Sequence, residues 1–408
     1  MRLLVFSAYY KPEVAASLYL PENVYECFAG HGWDVILFTP VPTRGVSKEI
    51  SKKYKTLNPE KKYGGRLEVH RVSMFGEKRN PVFRAFRYLL LNLSYLWKGL
   101  TASADAVFVQ STPPILGVVA AIIKKFKKIP FIYNLQDVFP DSMVISGFTK
   151  ENSLLWKLGR SVENFTYKNA DKVIVISEDI KSNILRKNVP EGKIEIVYNW
   201  VEESAVIPIK RAENGLFDEL ELDRGLFYAV YAGNLGNAQN IDVIVRASEK
   251  LKNIPDIRMI IIGEGMQKDI YMRMAKELSL DNLMFFPMQP YEKISQVYSM
   301  GDCSIVSCKP GVGASGLPSK TWSALSAGTP VIASFDDRTD LKRIIEKNRL
   351  GLFTSAGDSD ALADAILTLY KNPDMRREMG QNGRMFVLNN LTKSIGSEKY
   401  FEIIRACL

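Results

Sequence analysis

The chain has 408 residues, 46% hydrophobic and 24% charged, a length suited to two domains and a composition that excludes a disordered or fibrous protein. Its four cysteines, Cys27, Cys303, Cys308 and Cys407, make no CxxC pair and no metal-ligand spacing, and the start MRLLVFSAYY lacks the basic n-region of a leader peptide. Reduced thiols in a cytoplasmic protein are therefore expected. The formal charge of +9 is uneven: residues 1–200 carry 29 Lys and Arg against 18 Asp and Glu, whereas residues 201–408 carry 25 against 27. An anionic partner is expected for the first half only. With no nucleic-acid motif beside the charge, an anionic membrane surface is the expected partner.

From the N-terminus, short apolar runs at 3–6, 35–39, 67–72, 106–110, 131–134, 172–176 and 194–198 predict strands. Helical patterns at 15–30, 81–100, 114–126, 153–169 and 178–187 separate most of them. Runs without polar alternation mark strands buried on both faces, hence a parallel sheet covered by helices. Residues 203–225 are polar and turn-rich and predict a linker between a domain at 1–202 and another at 226–392. The second series of strands falls at 227–231, 258–262, 283–286, 303–306, 330–334 and 351–353, and a last helix at 393–408 is expected to return to the first domain. Two doubly wound α/β sheets place ligands at the carboxyl ends of their strands, here facing a central cleft. The apolar segments 115–123 and 88–97 fall well short of the ~20 residues that span a bilayer.

Three turns carry chemistry. Gly316-Leu317-Pro318-Ser319-Lys320 predicts a helix over 318–326, with Pro318 in its first turn. Free backbone N–H groups, the Ser319 hydroxyl and the Lys320 ammonium then make a phosphate-sized anion site; a plain helix cap with a surface lysine is the alternative. The glycines at 311, 313 and 316 let the preceding loop approach a ligand. Gly233-Asn234-Leu235-Gly236, leading to Gln239, turns from the first strand of the second series into a helix and lets N–H groups reach a diphosphate; tight-turn glycines without a ligand are the alternative. Gly263-Glu264-Gly265 ends the next strand and could border a nucleoside. Asp336-Asp337 does not match a metal-binding DxD and reads as a loop acid pair. His31, in the turn HGW, reads as structural.

In order, AGNLGNAQNI, GEG and GVGASGLPSK leading into SALSAGTPVIAS resemble glycosyltransferase family 4. The first half adds Tyr9-Tyr10-Lys11-Pro12-Glu13 and Gln136-Asp137-Val138-Phe139-Pro140-Asp141-Ser142, similar to segments of a surface-polysaccharide branch that includes N-acetylfucosaminyl transferases of O-antigen and capsule synthesis. The resemblance implies GT-B architecture, two Rossmann-like domains, with the acceptor on 1–202 and a UDP-sugar on 226–392. It implies retaining transfer of an N-acetylated hexosamine or deoxyhexosamine to a polyprenyl-diphosphate-linked saccharide, at the inner face of the plasma membrane. The implied donor contacts are Gly233, Asn234, Leu235, Gly236, Gln239, Gly263, Glu264, Gly265, Gly313, Ser315, Gly316, Pro318, Ser319, Lys320 and Ser323. The acceptor contacts are Tyr10, Glu13, Ala16, Ser17 and Asp141.

Lys320 is expected to stabilise the leaving diphosphate without a metal or other cofactor, and Asp137 to orient or deprotonate the acceptor hydroxyl. The chain departs from the family at three places. Ser315 and Ser323 stand where relatives carry an E-x7-E pair, Ala15-Ala16 where paired glycines are common, and Gln136 where a basic residue precedes Asp137. The missing carboxylates leave open a catalytically inactive partner subunit; a UDP-N-acetylglucosamine 2-epimerase of the same fold is the other alternative. For the membrane, the segment 81–100 offers Arg84, Arg87 and Lys98 beside Phe83, Phe86, Leu90, Tyr95 and Trp97, followed by Lys124, Lys125, Lys127 and Lys128.

Overall fold

The computed structural model describes residues 1–13, 18–75 and 81–408. The chain divides into two compact units, Met1–Tyr198 with Ser394–Leu408, and Asn199–Lys393.

The first unit is built on β1 (Arg2–Phe6), α1 (Tyr19–Gly30), β2 (Asp34–Pro40), α2 (Lys48–Thr56), β3 (Glu60–Lys62), β4 (Leu67–Val72), α3 (Pro81–Thr101), β5 (Ala106–Gln110) and α4 (Ile115–Lys127). It continues through β6 (Phe131–Leu135), α5 (Asp141–Ile145), α6 (Leu154–Asn169), β7 (Lys172–Val175), α7 (Glu178–Arg186) and β8 (Ile194–Ile196). The sheet order is β3-β4-β2-β1-β5-β6-β7-β8. All pairings are parallel except β3 with β4. Leu3–Phe6 and the facing Val107 and Val109 are essentially inaccessible to solvent, each such side chain contributing roughly 1.5–3 kcal/mol. Sequence reading missed α2 and β3. Glu60-Lys61-Lys62 has no apolar residue, and a short charged strand is what protects a sheet edge from further pairing.

The second unit holds α8 (Leu216–Glu219), β9 (Phe227–Ala232), α9 (Asp242–Leu251), β10 (Ile257–Ile262), α10 (Lys268–Glu277), β11 (Leu283–Phe286), α11 (Ile294–Met300) and β12 (Cys303–Ser307). After these come α12 (Ser319–Ser326), β13 (Val331–Phe335), α13 (Asp340–Lys347), β14 (Gly351–Ser355), α14 (Ser359–Lys371) and α15 (Pro373–Asn390). Its six strands are parallel in the order β11-β10-β9-β12-β13-β14. The direction of winding reverses between β9 and β12, which opens the crevice at their carboxyl ends. Residues 203–225 pack within this unit: Val206, Asn214 and Phe217 are fully buried, and the Asn214 amide donates to the Gln296 carbonyl at 2.8 Å.

The last helix, α16 (Lys393–Arg405), packs on the first unit. Phe401 lies among Phe28, His31 and Trp33, and the Tyr400 hydroxyl donates to Asn134 Oδ1 at 3.0 Å. Among the described residues no helix is long and apolar enough to cross a membrane.

Candidate functional site

In the second unit, the turns after β9 and β10 lock together backbone against backbone. Gly233 N–H donates to the Ile262 carbonyl at 2.9 Å, Leu235 N–H to Glu264 O at 2.8 Å, and Gln267 N–H to Leu235 O at 3.0 Å. A Cβ on Gly263 would stand 1.9 Å from the Gly233 carbonyl oxygen, and one on Gly265 2.5 Å from Leu235 backbone atoms. Gly233 itself has φ +142°, a conformation L side chains rarely adopt. Gly263 and Gly265 are therefore required by packing, and Gly233 by its backbone conformation. Gly236 lies against the Asn234 and Gln239 side chains. The Glu264 carboxylate pairs with Lys268 at 2.7 Å.

The loop after β12 is held by an acid. Asp336, just beyond β13, accepts from Gly311 N–H at 2.9 Å and from Gly313 N–H at 2.8 Å. Its neighbour Asp337 pairs with Lys342 and Ser355. Two of the loop's amides thus already have an anion, and Gly313 serves the loop's shape. Lys309 N–H and the Ser307 hydroxyl tie the same loop to the carbonyls of Ala238 and Gln239. Ser315 donates to the Val312 carbonyl at 2.7 Å, and Ser323 stays on its own helix, 3.5 Å from the Ser319 carbonyl.

Pro318 occupies the N-cap of α12 rather than its first turn, and makes no side-chain cap. The first N–H groups of the helix, from Ser319 and Lys320, have no intrahelical acceptor. Lys320 is half-buried as a residue, yet its Nζ is sealed from solvent without a hydrogen-bond partner among the described residues. That nitrogen lies 3.7 Å from the centre of the Tyr231 ring, and a Cβ on Gly233 would be 2.7 Å from it. Burial pulls the ammonium down to about 7, because an ion out of water with no counter-charge is destabilised. The Tyr231 hydroxyl donates to the Asn234 carbonyl at 2.8 Å. Sequence reading missed Tyr231 as the wall behind Lys320 and Asp336 as the clamp on the glycine loop. Both lie beside glycine turns at strand ends, which was the available signal.

The first-unit residues expected to meet the acceptor have partners of their own. Tyr10 is buried, its hydroxyl taking a hydrogen bond from Lys62 at 3.2 Å while Arg71 packs over its ring. Glu13 accepts from the Thr43 and Arg44 amides at 2.9 and 3.1 Å. Asp141 pairs with Lys187 at 2.8 Å and accepts from Asn183. Ala16 and Ser17 lie outside the described residues. Asp137, at the carboxyl end of β6, is raised by burial and held by Ser142 and the Val138 amide. More than a third of the residue is open to solvent, so that desolvation is partial. It caps the turn into α5 and still offers a carboxylate to solvent.

The helices of the first unit turn apolar side chains outward. Phe83, Phe86, Leu89, Leu93 and Trp97 of α3 and Phe126 of α4 are exposed, as are Leu154, Leu155, Leu158 and Phe165 of α6. Arg87 and Tyr95, expected on that surface, are buried: Arg87 Nε donates to Phe75 O and the Tyr95 hydroxyl to Ser7 O. Each fills a gap beside backbone that needs a donor. Leu90 is half-buried, and the Arg84 side chain lies outside the described residues. Lys124 pairs with Asp171 at 2.6 Å and Lys127 reaches the Leu100 carbonyl. Lys125 and Lys128 are exposed, with no ion pair among the described residues, and line a groove of about 800 Å³.

Comparison with known proteins divides the chain in the same way. Residues 22–205 match the model "Glycosyltransferase Family 4", and residues 214–386 match "Glycosyl transferases group 1". The chain is 25% identical over 327 residues to the probable glycosyltransferase WbjE of Pseudomonas aeruginosa, covering 80% of each chain. To the putative colanic acid biosynthesis glycosyl transferase WcaI of Escherichia coli K12 it is 24% identical, covering 85% of this chain and 86% of that one. Among solved structures, HepE of Anabaena, in complex with UDP, superposes with a TM-score of 0.75 at 14% identity over the whole of both chains.

Proposed function

On the premise that this chain is a glycosyltransferase of the family 4 type with GT-B fold, we propose that it moves a sugar from a UDP-sugar to a hydroxyl of a lipid-linked saccharide. The observation that carries the reading is Lys320: a sealed, unpartnered ammonium at the start of α12, pressed against Tyr231 and Gly233. Departure of the sugar leaves negative charge on the β-phosphate of UDP. A desolvated cation and free helix N–H groups stabilise that charge far more than water does. WcaI, named for colanic acid biosynthesis, and HepE, seen with UDP, support the polysaccharide and donor parts of the reading. The N-acetylated hexosamine or deoxyhexosamine, and retention at its anomeric carbon, follow from the family resemblance. Asp137 is assigned to the acceptor hydroxyl. The leaving group needs no metal in this scheme.

The first unit is assigned to an anionic bilayer, the source of the lipid-linked acceptor. Support comes from the outward apolar side chains of α3, α4 and α6 beside Lys125 and Lys128, the pairing of apolar and cationic groups that interfacial helices use.

Lys320→Ala should weaken UDP binding by roughly 1.5–3 kcal/mol, the range for hydrogen bonds to charged groups, with a parallel loss of transfer to a lipid-linked acceptor. Unchanged UDP affinity by calorimetry removes Lys320 from the site. UDP binding without any transfer by the wild-type chain would favour the inactive-partner reading, which the local bonding of Ser315 and Ser323 keeps in view.

A further inference from the structure

Cys27 and His31 stand four residues apart at the end of α1, so their side chains share one face of that turn. Glu398 of α16 reaches the same point. Its carboxylate lies 2.9 and 3.0 Å from His31 Nε2, and Cys27 Sγ is 3.4 Å from its Oε1. The three ligand atoms lie within 4.8 Å of one another. The His31 ring is fixed from behind, stacked on Phe401 with centroids 3.8 Å apart.

We propose that Cys27, His31 and Glu398 form a zinc-class metal site joining α1 to α16. With metal bonds of about 2.0 Å to nitrogen and oxygen and about 2.3 Å to sulfur, tetrahedral geometry separates sulfur from oxygen by roughly 3.5 Å and nitrogen from oxygen by roughly 3.3 Å. The first separation is already present, and the second needs an opening of a few tenths of an ångström. One thiolate, one imidazole and one carboxylate suit a borderline-soft divalent cation and do not suit magnesium or calcium. His31 and Glu398 are 40% and 47% exposed, which leaves the fourth position to water. On binding, the metal replaces the Cys27 thiol proton, which leaves to solvent, and His31 binds as neutral imidazole. Each of the three positions reads as ordinary in the sequence; only the return of α16 brings the third ligand.

The test uses the full chain stripped with chelator. Titration with cobalt(II) should give a sulfur-to-metal charge-transfer band saturating at one equivalent and bleached by zinc. Zinc should raise Tm by a few degrees, and Cys27→Ser should abolish both responses while leaving the metal-free Tm close to wild type. Glu398→Gln should weaken cobalt binding by tenfold or more. A missing band, or a band that survives Cys27→Ser, overturns the site. UDP affinity should be the same with and without zinc, since the donor loops belong to the other unit. Failure of the wild-type chain to bind UDP with or without zinc would count against the Lys320 reading and leave this one standing.

Discussion

The glycine turns of the second unit, read from the residues, and the polar motif residues of the first, read from a family resemblance, ended differently. Gly263 and Gly265 stand where a Cβ would meet backbone, and Gly233 holds φ +142°, which side chains rarely adopt. Their purpose is geometric and visible in the residue type. Tyr10, Glu13 and Asp141 are also held by specific partners, but those partners are Lys62, the Thr43 and Arg44 amides, and Lys187. A carboxylate can serve a loop as well as a ligand, and its letter does not say which. A motif residue with a buried, unpartnered polar atom is the more informative one; among the described residues Lys320 Nζ is such an atom, and so is Glu13 Oε2.

The sharpest way to break that contrast is Gly263→Ala. A Cβ 1.9 Å from the Gly233 carbonyl oxygen forces the two turns apart, so stability should fall by roughly 1–3 kcal/mol or more, as overpacking does. UDP binding should be lost with it. A variant that melts like wild type and binds UDP normally would show the turns to be looser than their packing implies.

The second effect is a pH dependence. Burial sets Lys320 near 7 in the free protein, and the diphosphate favours its protonated form. Above that pH the complex must take up a proton, so UDP affinity should fall as pH rises, approaching tenfold per unit between about pH 7.5 and 9, where the terminal phosphate (pKa near 6) is already ionised. Tyr231, which faces the ammonium, is held above its ordinary value by burial and does not titrate in this window. Calorimetry in buffers of different ionisation enthalpy measures the uptake directly. A flat profile would mean that Lys320 stays charged throughout.

The smallest effect tests the first unit. Changing Lys125 and Lys128 to Gln should cost about 1 kcal/mol each in binding to anionic vesicles, with no change in Tm because neither makes an ion pair among the described residues. Lys124 is left intact, since its pair with Asp171 holds α4. Wild-type binding should weaken as salt rises. Wild-type protein left in the supernatant at low salt would point to a soluble acceptor.

Most strands were legible as short β-branched or apolar runs bounded by turn residues, whereas β4, Leu67–Val72, alternates with Glu68 and His70. The outward face of α6 was not legible. Its buried residues include Gly159, Glu163, Thr166 and Tyr167, with Glu163 satisfied by Arg160, Tyr167 and Lys187. Leu154, Leu158 and Phe165 lie outside. A helix that buries an ion pair and exposes leucines inverts the usual rule, and periodicity alone assigns the wrong stripe to the sheet. Arg87 misled in the same way on α3. At the glycine loops the sequence pointed to Lys320 and the start of α12, but it could not show that Asp336 already fills two amides of the adjoining loop.

The return of α16 also sets an order of assembly during synthesis. Tyr400, Phe401 and Ile404 are buried, and with Asn134 and Trp33 they complete the first unit. The second unit is a continuous stretch, Asn199–Lys393, and all its residues are made before those three. Although domains generally fold in the order in which they leave the ribosome, here the domain begun first closes last. Until α16 emerges, Phe28 and Trp33 remain without Phe401, and the nascent first unit carries an apolar seam that only this helix can cover.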